Sequence, residues 1–142
     1  MRVEKSVEVR HTAEEMYQLV RQVEEYPKFL PWCSRTVILK EAERVVQARV
    51  YVQYLMIKQH FTTENRYTEN REILIRLVDG PFEYLNGRWS FAPLEADGCR
   101  INFVLDYEFS GYVLSKLFEP VFYFISNTMV DSFLEEANRR YA

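Results

Sequence analysis

The stretch Tyr112–Ala142, YVLSKLFEPVFYFISNTMVDSFLEEANRRYA, decides how the rest of the chain is read. Leu114, Leu117, Phe118, Val121, Ile125, Met129 and Phe133 recur at three- and four-residue spacing, the pattern of one helical face. Phe122, Phe124 and Val130 widen the stripe beyond one contact surface. A helix this apolar must be held by something concave. Pro120 either kinks it or sits in the first turn of a second segment.

The preceding chain supplies the hand that holds it. Val3, Val7 and Val9 alternate with Arg2, Glu4, Glu8 and Arg10, a half-buried strand. Thr12 and Glu15 have the spacing of a capping box, in which each side chain satisfies the other residue's free backbone N–H. Met16, Leu19, Val20 and Val23 then mark a short amphipathic helix, which Pro27 ends near Tyr26. The segment Tyr26–Cys33 has two prolines and is also rich in large apolar residues, so it either plugs the core or frames an opening.

From Ser34 to Phe109 the pattern is strand after strand. Thr36–Ala42 and Val45–Tyr54 predict a hairpin across Glu43-Arg44. Ile57, Gln59, Phe61, Thr63, Asn65 and Tyr67 share one face of the next strand, with His60 on the other. Leu55-Met56-Ile57 is either an apolar tip or continuous buried strand. Asn86-Gly87 reads as a hairpin turn or a bulge. Cys99, Ile101, Phe103, Leu105, Tyr107 and Phe109 point inward from the last strand, and Arg100, Asn102, Asp106 and Glu108 point outward. Short connections between consecutive strands imply an antiparallel sheet. The expected class is α+β: a curved sheet of about six to seven strands wrapped around the C-terminal helix.

With 142 residues the chain suits one domain spanning residues 1–142. Its 48% hydrophobic and 15% aromatic content excludes disorder. No run of about 18 apolar residues can cross a bilayer. The first residues lack the pattern of a signal or transit peptide, so a cytoplasmic location is expected, with peripheral contact at the inner membrane left open. Cys33 and Cys99 form no metal or redox spacing. A net charge of −3 argues against broad adhesion to nucleic acid, and no DNA partner is expected. No metal is expected, no cofactor is expected, and His11 and His60 nominate no acid–base pair, so catalysis is not expected either.

The element order, together with Tyr26-Pro27-Lys28-Phe29-Leu30-Pro31-Trp32-Cys33, resembles the coenzyme Q-binding and ribosome-association-toxin (RatA) family of the START-like, polyketide cyclase-like superfamily. Leu77-Val78-Asp79-Gly80-Pro81-Phe82, followed by Leu85, Gly87, Trp89 and Phe91, carries the resemblance further, as does Cys99-Arg100-Ile101 leading into Phe103. It implies a helix-grip fold and one of two roles. The first is a carrier or chaperone in respiration that holds ubiquinone or a related lipid. Its pocket would be lined from the strands by Phe61, Tyr67, Trp89, Phe91, Phe103 and Leu105, and from the helix by Phe118, Phe122, Ile125 and Met129. Phe29, Leu30 and Trp32 would gate or plug it. Asn65, Tyr67 or Tyr107 would donate a hydrogen bond to a quinone oxygen. The second role is a toxin that binds the large ribosomal subunit and blocks subunit association. For that, Lys28, Arg35, Lys40, Lys58, Arg66, Arg71, Arg76, Arg139 and Arg140 would have to gather on one face.

Size sets a condition on the first role. Ligand pockets occupy roughly 300–1,000 Å³. An empty apolar cavity costs about 24 cal/mol per Å³, so even the small end would cost roughly 7 kcal/mol, comparable to the stability of a whole domain. Such a space is either occupied or collapsed into solid core.

Overall fold

The computed structural model describes residues 1–141, so Ala142 at the end of the expected helix lies outside the described residues. The elements are β1 (Arg2–Val9), α1 (Ala13–Arg21), β2 (Cys33–Glu41), β3 (Val45–Tyr54), β4 (Ile57–Thr68), β5 (Glu72–Asp79), β6 (Phe82–Pro93), β7 (Cys99–Phe109) and α2 (Tyr112–Arg140). One seven-stranded sheet has the order β1-β7-β6-β5-β4-β3-β2, antiparallel throughout. Strands β2 to β7 follow one another through short turns. The path through α1 returns the chain so that β1 pairs with β7. This is the expected helix-grip α+β architecture.

Local chemistry explains the element ends. The Thr12 hydroxyl accepts the Glu15 N–H at 3.1 Å, and the Thr12 N–H donates to the Glu15 carboxylate at 2.9 Å, completing the capping box. Helix α1 stops at Arg21, earlier than expected, and Val23–Lys28 forms a tighter 3-10 turn. Pro27 lies in that turn, lacks an N–H and disfavours α geometry in Tyr26, so the α-helix cannot run up to it.

The apolar tip expected as one alternative is present. The β3–β4 turn passes through Leu55 in the left-handed region, φ 55°, and Leu55 and Met56 are 79% and 96% exposed. Asn86-Gly87 is neither hairpin nor bulge. Gly87 lies mid-strand between Leu105 and Ile75, and the register irregularity between β6 and β7 falls between Phe82 and Tyr84. A Cβ on Gly87 would stand 3.1 Å from Leu105 Cδ1 and 3.4 Å from Ile75 Cβ, so the glycine reflects crowding on the concave face.

That concave face holds the core. Trp89 packs 4.5 Å from Phe103 and edge-on at 5.3 Å to Phe133, which α2 drives into the grip. Tyr17 of α1 lies edge-on to Tyr67 and Phe91. The second half of α2 is held firmly, with Ile125, Ser126, Val130, Phe133, Glu136 and Ala137 buried. The first half is held loosely. Leu114, Phe118 and Val121 touch the core, but Leu117 is 59% exposed and Phe124 49%, against the expectation of a fully gripped stripe. Successive helix residues are about 100° apart, so Leu117 stands on the flank when Phe118 faces the sheet.

Candidate functional site

The space between α2 and the sheet is where an apolar ligand would sit. The structure leaves there a cleft of about 20 Å³, lined by Val52, Ile57, Gln59, Phe61, Pro81, Phe82 and Phe109 of the sheet side and Phe118, Val121, Phe122 and Ile125 of α2. A volume that small holds about one water molecule, far below a ligand pocket. Aromatic rings fill the rest. Phe122 lies 4.7 Å from Tyr107, 5.1 Å from Phe82, 5.7 Å from Phe109 and 6.0 Å from Phe61.

The residues expected to line the pocket therefore divide. Phe61, Phe118, Phe122 and Ile125 come together around the cleft. Trp89, Phe91, Phe103 and Leu105 do not line it. They are buried in the core, where Phe133 packs edge-on against Trp89. Met129 is half-buried against the same core. Tyr67 faces a different groove beside α1, shared with Gln18, Arg21, Gln22, Glu41 and Val46, and the Arg21 guanidinium lies 5.1 Å from its ring centre.

Tyr26–Trp32 is a plug. Leu30 and Trp32 are buried, and Phe29 packs edge-on at 5.3 Å to Phe133 and 6.2 Å from Tyr26. The Tyr26 hydroxyl donates to the Val20 carbonyl, which ties the plug to α1.

Asn65 and Tyr67 are not among the buried side chains left without a hydrogen-bond partner. Thr63 donates to Asn65 Oδ1 at 2.9 Å, and Tyr67 lies beside α1. Tyr107 differs: its residue is 0% exposed, and its hydroxyl has no partner among the described residues. Burial pushes the Tyr107 phenol well above its ordinary range, and Glu119 and Tyr123 of α2 push it further.

The cations nominated for the ribosome reading gather only in part. Lys28 pairs with Glu25 at 3.0 Å, and Arg66 and Arg76 both pair with Glu64, at 3.1 and 3.0 Å. A hydrogen bond from Gln47, then the Arg66 and Arg76 charges, hold the Glu64 carboxyl below its usual range. Arg139 and Arg140 both pair with Glu136 at 2.6 Å. These pairs form because each cation lies on the same strand, neighbouring strand or helical turn as an acid. Arg35, Lys40, Lys58, Arg66 and Arg76 do share the convex side of the sheet, but only the first three make no ion pair among the described residues, and the register places Arg49, Tyr51 and His60 beside them. Only the strand register sets Tyr51 between Arg35 and His60.

Comparison with known proteins adds an independent line. A family model described as polyketide cyclase / dehydrase and lipid transport matches residues 9–134. The chain is 42% identical over 134 residues to the ribosome association toxin RatA of Escherichia coli K12, covering 94% of this chain and 85% of that one. It is 28% identical over 132 residues to the mitochondrial coenzyme Q-binding protein COQ10 homolog B of Xenopus laevis, covering 90% of this chain and 54% of that one. In fold it is similar to the crystal structure of the Zhui aromatase/cyclase from Streptomyces sp. R1128, with a TM-score of 0.88, 20% identity, and coverage of 100% and 96%.

Proposed function

Because this chain belongs to the polyketide cyclase / dehydrase and lipid transport family, in the group of RatA toxins and coenzyme Q-binding proteins, we propose that it binds the ribosome and hinders association of the subunits. It does so in the cytoplasm, by occupying a surface, without catalysis or a cofactor. The observation that carries this reading is the 42% identity to RatA over 94% of this chain, and the filled grip, with a cleft of about 20 Å³, is consistent with a role that needs no resident lipid. Purified protein added to ribosomes is expected to lower the ratio of joined to free subunits in sucrose gradients. An unchanged ratio across a range of protein excess overturns the reading.

One observation favours a second reading. The buried Tyr107 hydroxyl has no partner among the described residues, its ring packs on Phe122 of the cleft lining, and a buried donor is costly unless something accepts its hydrogen bond. An apolar ligand with a carbonyl oxygen, ubiquinone or a related lipid, would satisfy it if the loosely held first half of α2 lifted. Lifting costs roughly 1.5–3 kcal/mol for the buried Phe122 and less for the half-buried Phe118 and Val121, and an inserted ligand returns part of that by covering the same surfaces. Organic extraction of the purified protein followed by mass spectrometry tests this. Absence of lipid, together with no saturable binding of ubiquinone analogues, removes it.

A further inference from the structure

We infer that the convex face of β2–β4 is the RNA-binding surface of this protein, taking unpaired bases and phosphates of large-subunit RNA. The inference rests on the ribosomal reading above and assigns it a place. Arg35, Tyr51 and His60 are register partners across three strands. The Arg35 guanidinium carbon lies 5.2 Å from the Tyr51 ring centre, and the His60 ring lies 5.4 Å from it on the next strand. Three planar groups thus form a row, and guanidinium, phenol and imidazole planes are the surfaces on which unpaired RNA bases stack.

Cations flank that row on both sides. Arg49 stands two residues from Tyr51 on β3 and opposite Thr62, to whose hydroxyl it donates at 3.3 Å. Lys58 stands two residues from His60 on β4, opposite Gln53. Residues two apart on a strand are about 7 Å apart, and strands are about 5 Å apart, so the group spans a few nucleotides. None of Arg35, Lys40, Arg49 or Lys58 makes an ion pair within 4.0 Å among the described residues.

Elsewhere on the same convex face the pattern reverses. Arg66 and Arg76 are held by Glu64, Arg88 by Glu72 at 2.7 Å, and Arg2 by Glu4 at 2.7 Å. A phosphate approaching those cations competes with a carboxylate already in place. At Arg35, Arg49 and Lys58 it meets no such competitor. The chain as a whole carries −3, so positive charge can attract a phosphate only where it is locally unopposed, as it is along this row. A nucleic-acid partner fits this combination of unpaired cations and planar groups, with Arg35 and His60 exposed at the ends of the row, better than an acidic protein does, because a protein carboxylate uses the charge and leaves the stacking row idle.

The test measures cosedimentation with isolated large subunits and, separately, binding to protein-free large-subunit RNA. It compares the natural protein with R35E/K58E, with Tyr51→Leu, with the milder R35Q/K58Q pair, and with R88E as a control on the paired part of the face. Thermal melting confirms that each variant is folded, and the milder pair decides the matter should the charge reversal not fold. The natural protein is expected to bind both targets, with a log–log salt slope of about −2 to −3 for the three or four cations engaged. R35E/K58E is expected to bind both at least tenfold more weakly with a shallower slope, and R88E to bind as the natural protein does. Variants that bind large subunits unchanged overturn the surface and leave the ribosomal reading standing. Loss on intact subunits with no binding of the natural protein to free RNA assigns a ribosomal protein as partner and overturns the RNA assignment. No binding of the natural protein to subunits overturns both.

Discussion

Phe122 of α2 meets Tyr107 of β7 edge to face, with ring centres 4.7 Å apart, and this contact closes the grip. It joins the loosely held half of the helix to the centre of the concave face. The Phe122 ring also lies within 5.1 to 6.0 Å of Phe82, Phe109 and Phe61.

Phe122→Ala removes the ring that fills most of the cleft. It is expected to cost about 3–5 kcal/mol, the range for large aromatic truncations in a core. Urea unfolding should show a lower midpoint with an unchanged slope. The enlarged cleft should also take up a small apolar probe such as benzene, which the natural protein excludes. A cost under about 1 kcal/mol would mean that α2 is not packed against the sheet at this point.

Tyr107→Phe removes a buried hydroxyl that has no partner. Deleting such a group at nearly constant shape is expected to be neutral or to stabilise by about 1 kcal/mol. Measured loss of stability, with lipid recovered from the natural protein and not from the variant, would instead give the hydroxyl a ligand.

Burial pushes the Cys33 and Cys99 thiols from an ordinary 9.0 up to about 11. Both should resist thiol reagents at pH 8 in the folded protein and react on unfolding, because the thiolate is the nucleophile. The linkage sign follows from the raised value. The contribution to stability is complete below pH 9 and is lost as pH rises through about 11. Denaturation midpoints at pH 8 and pH 10.5, compared with those of a Cys33→Ala variant, check it.

Glu136 is buried, and the Arg139 hydrogen bond, followed by that of Arg140, holds its carboxyl below the usual range. Here the sign is opposite. The stabilisation is present above the unfolded carboxyl value and is lost as pH falls through the folded one. Glu136→Ala is expected to cost about 2 kcal/mol at pH 7 and progressively less toward pH 3, as read from melting temperatures across that range.

Much of the fold was legible because alternation and helical spacing are local signals. The inward set from Cys99 to Phe109, the capping box at Thr12 and Glu15, and the greasy face of α2 can each be read without knowing any neighbour. Gly87 was misread for the opposite reason. Its cause is Leu105 and Ile75 on adjacent strands, which a local pattern does not contain. The candidate site was less legible. Facing the grip nominated Phe61, Phe118, Phe122 and Ile125, which line the cleft, and equally Trp89 and Phe103, which do not.

By itself, the sequence determined that a curved antiparallel sheet would close on an apolar C-terminal helix, since hydrophobic periodicity commits each element to a buried face. Only the tertiary structure decided how completely they close. The remaining volume depends on how Phe122, Phe133 and Trp89 interdigitate, and packing of that kind is set by rings far apart in the chain. The charges divided in the same way. Their number was plain from the sequence, but register between strands decided that Glu64 would hold Arg66 and Arg76 while Arg35, Arg49 and Lys58 stayed open beside Tyr51.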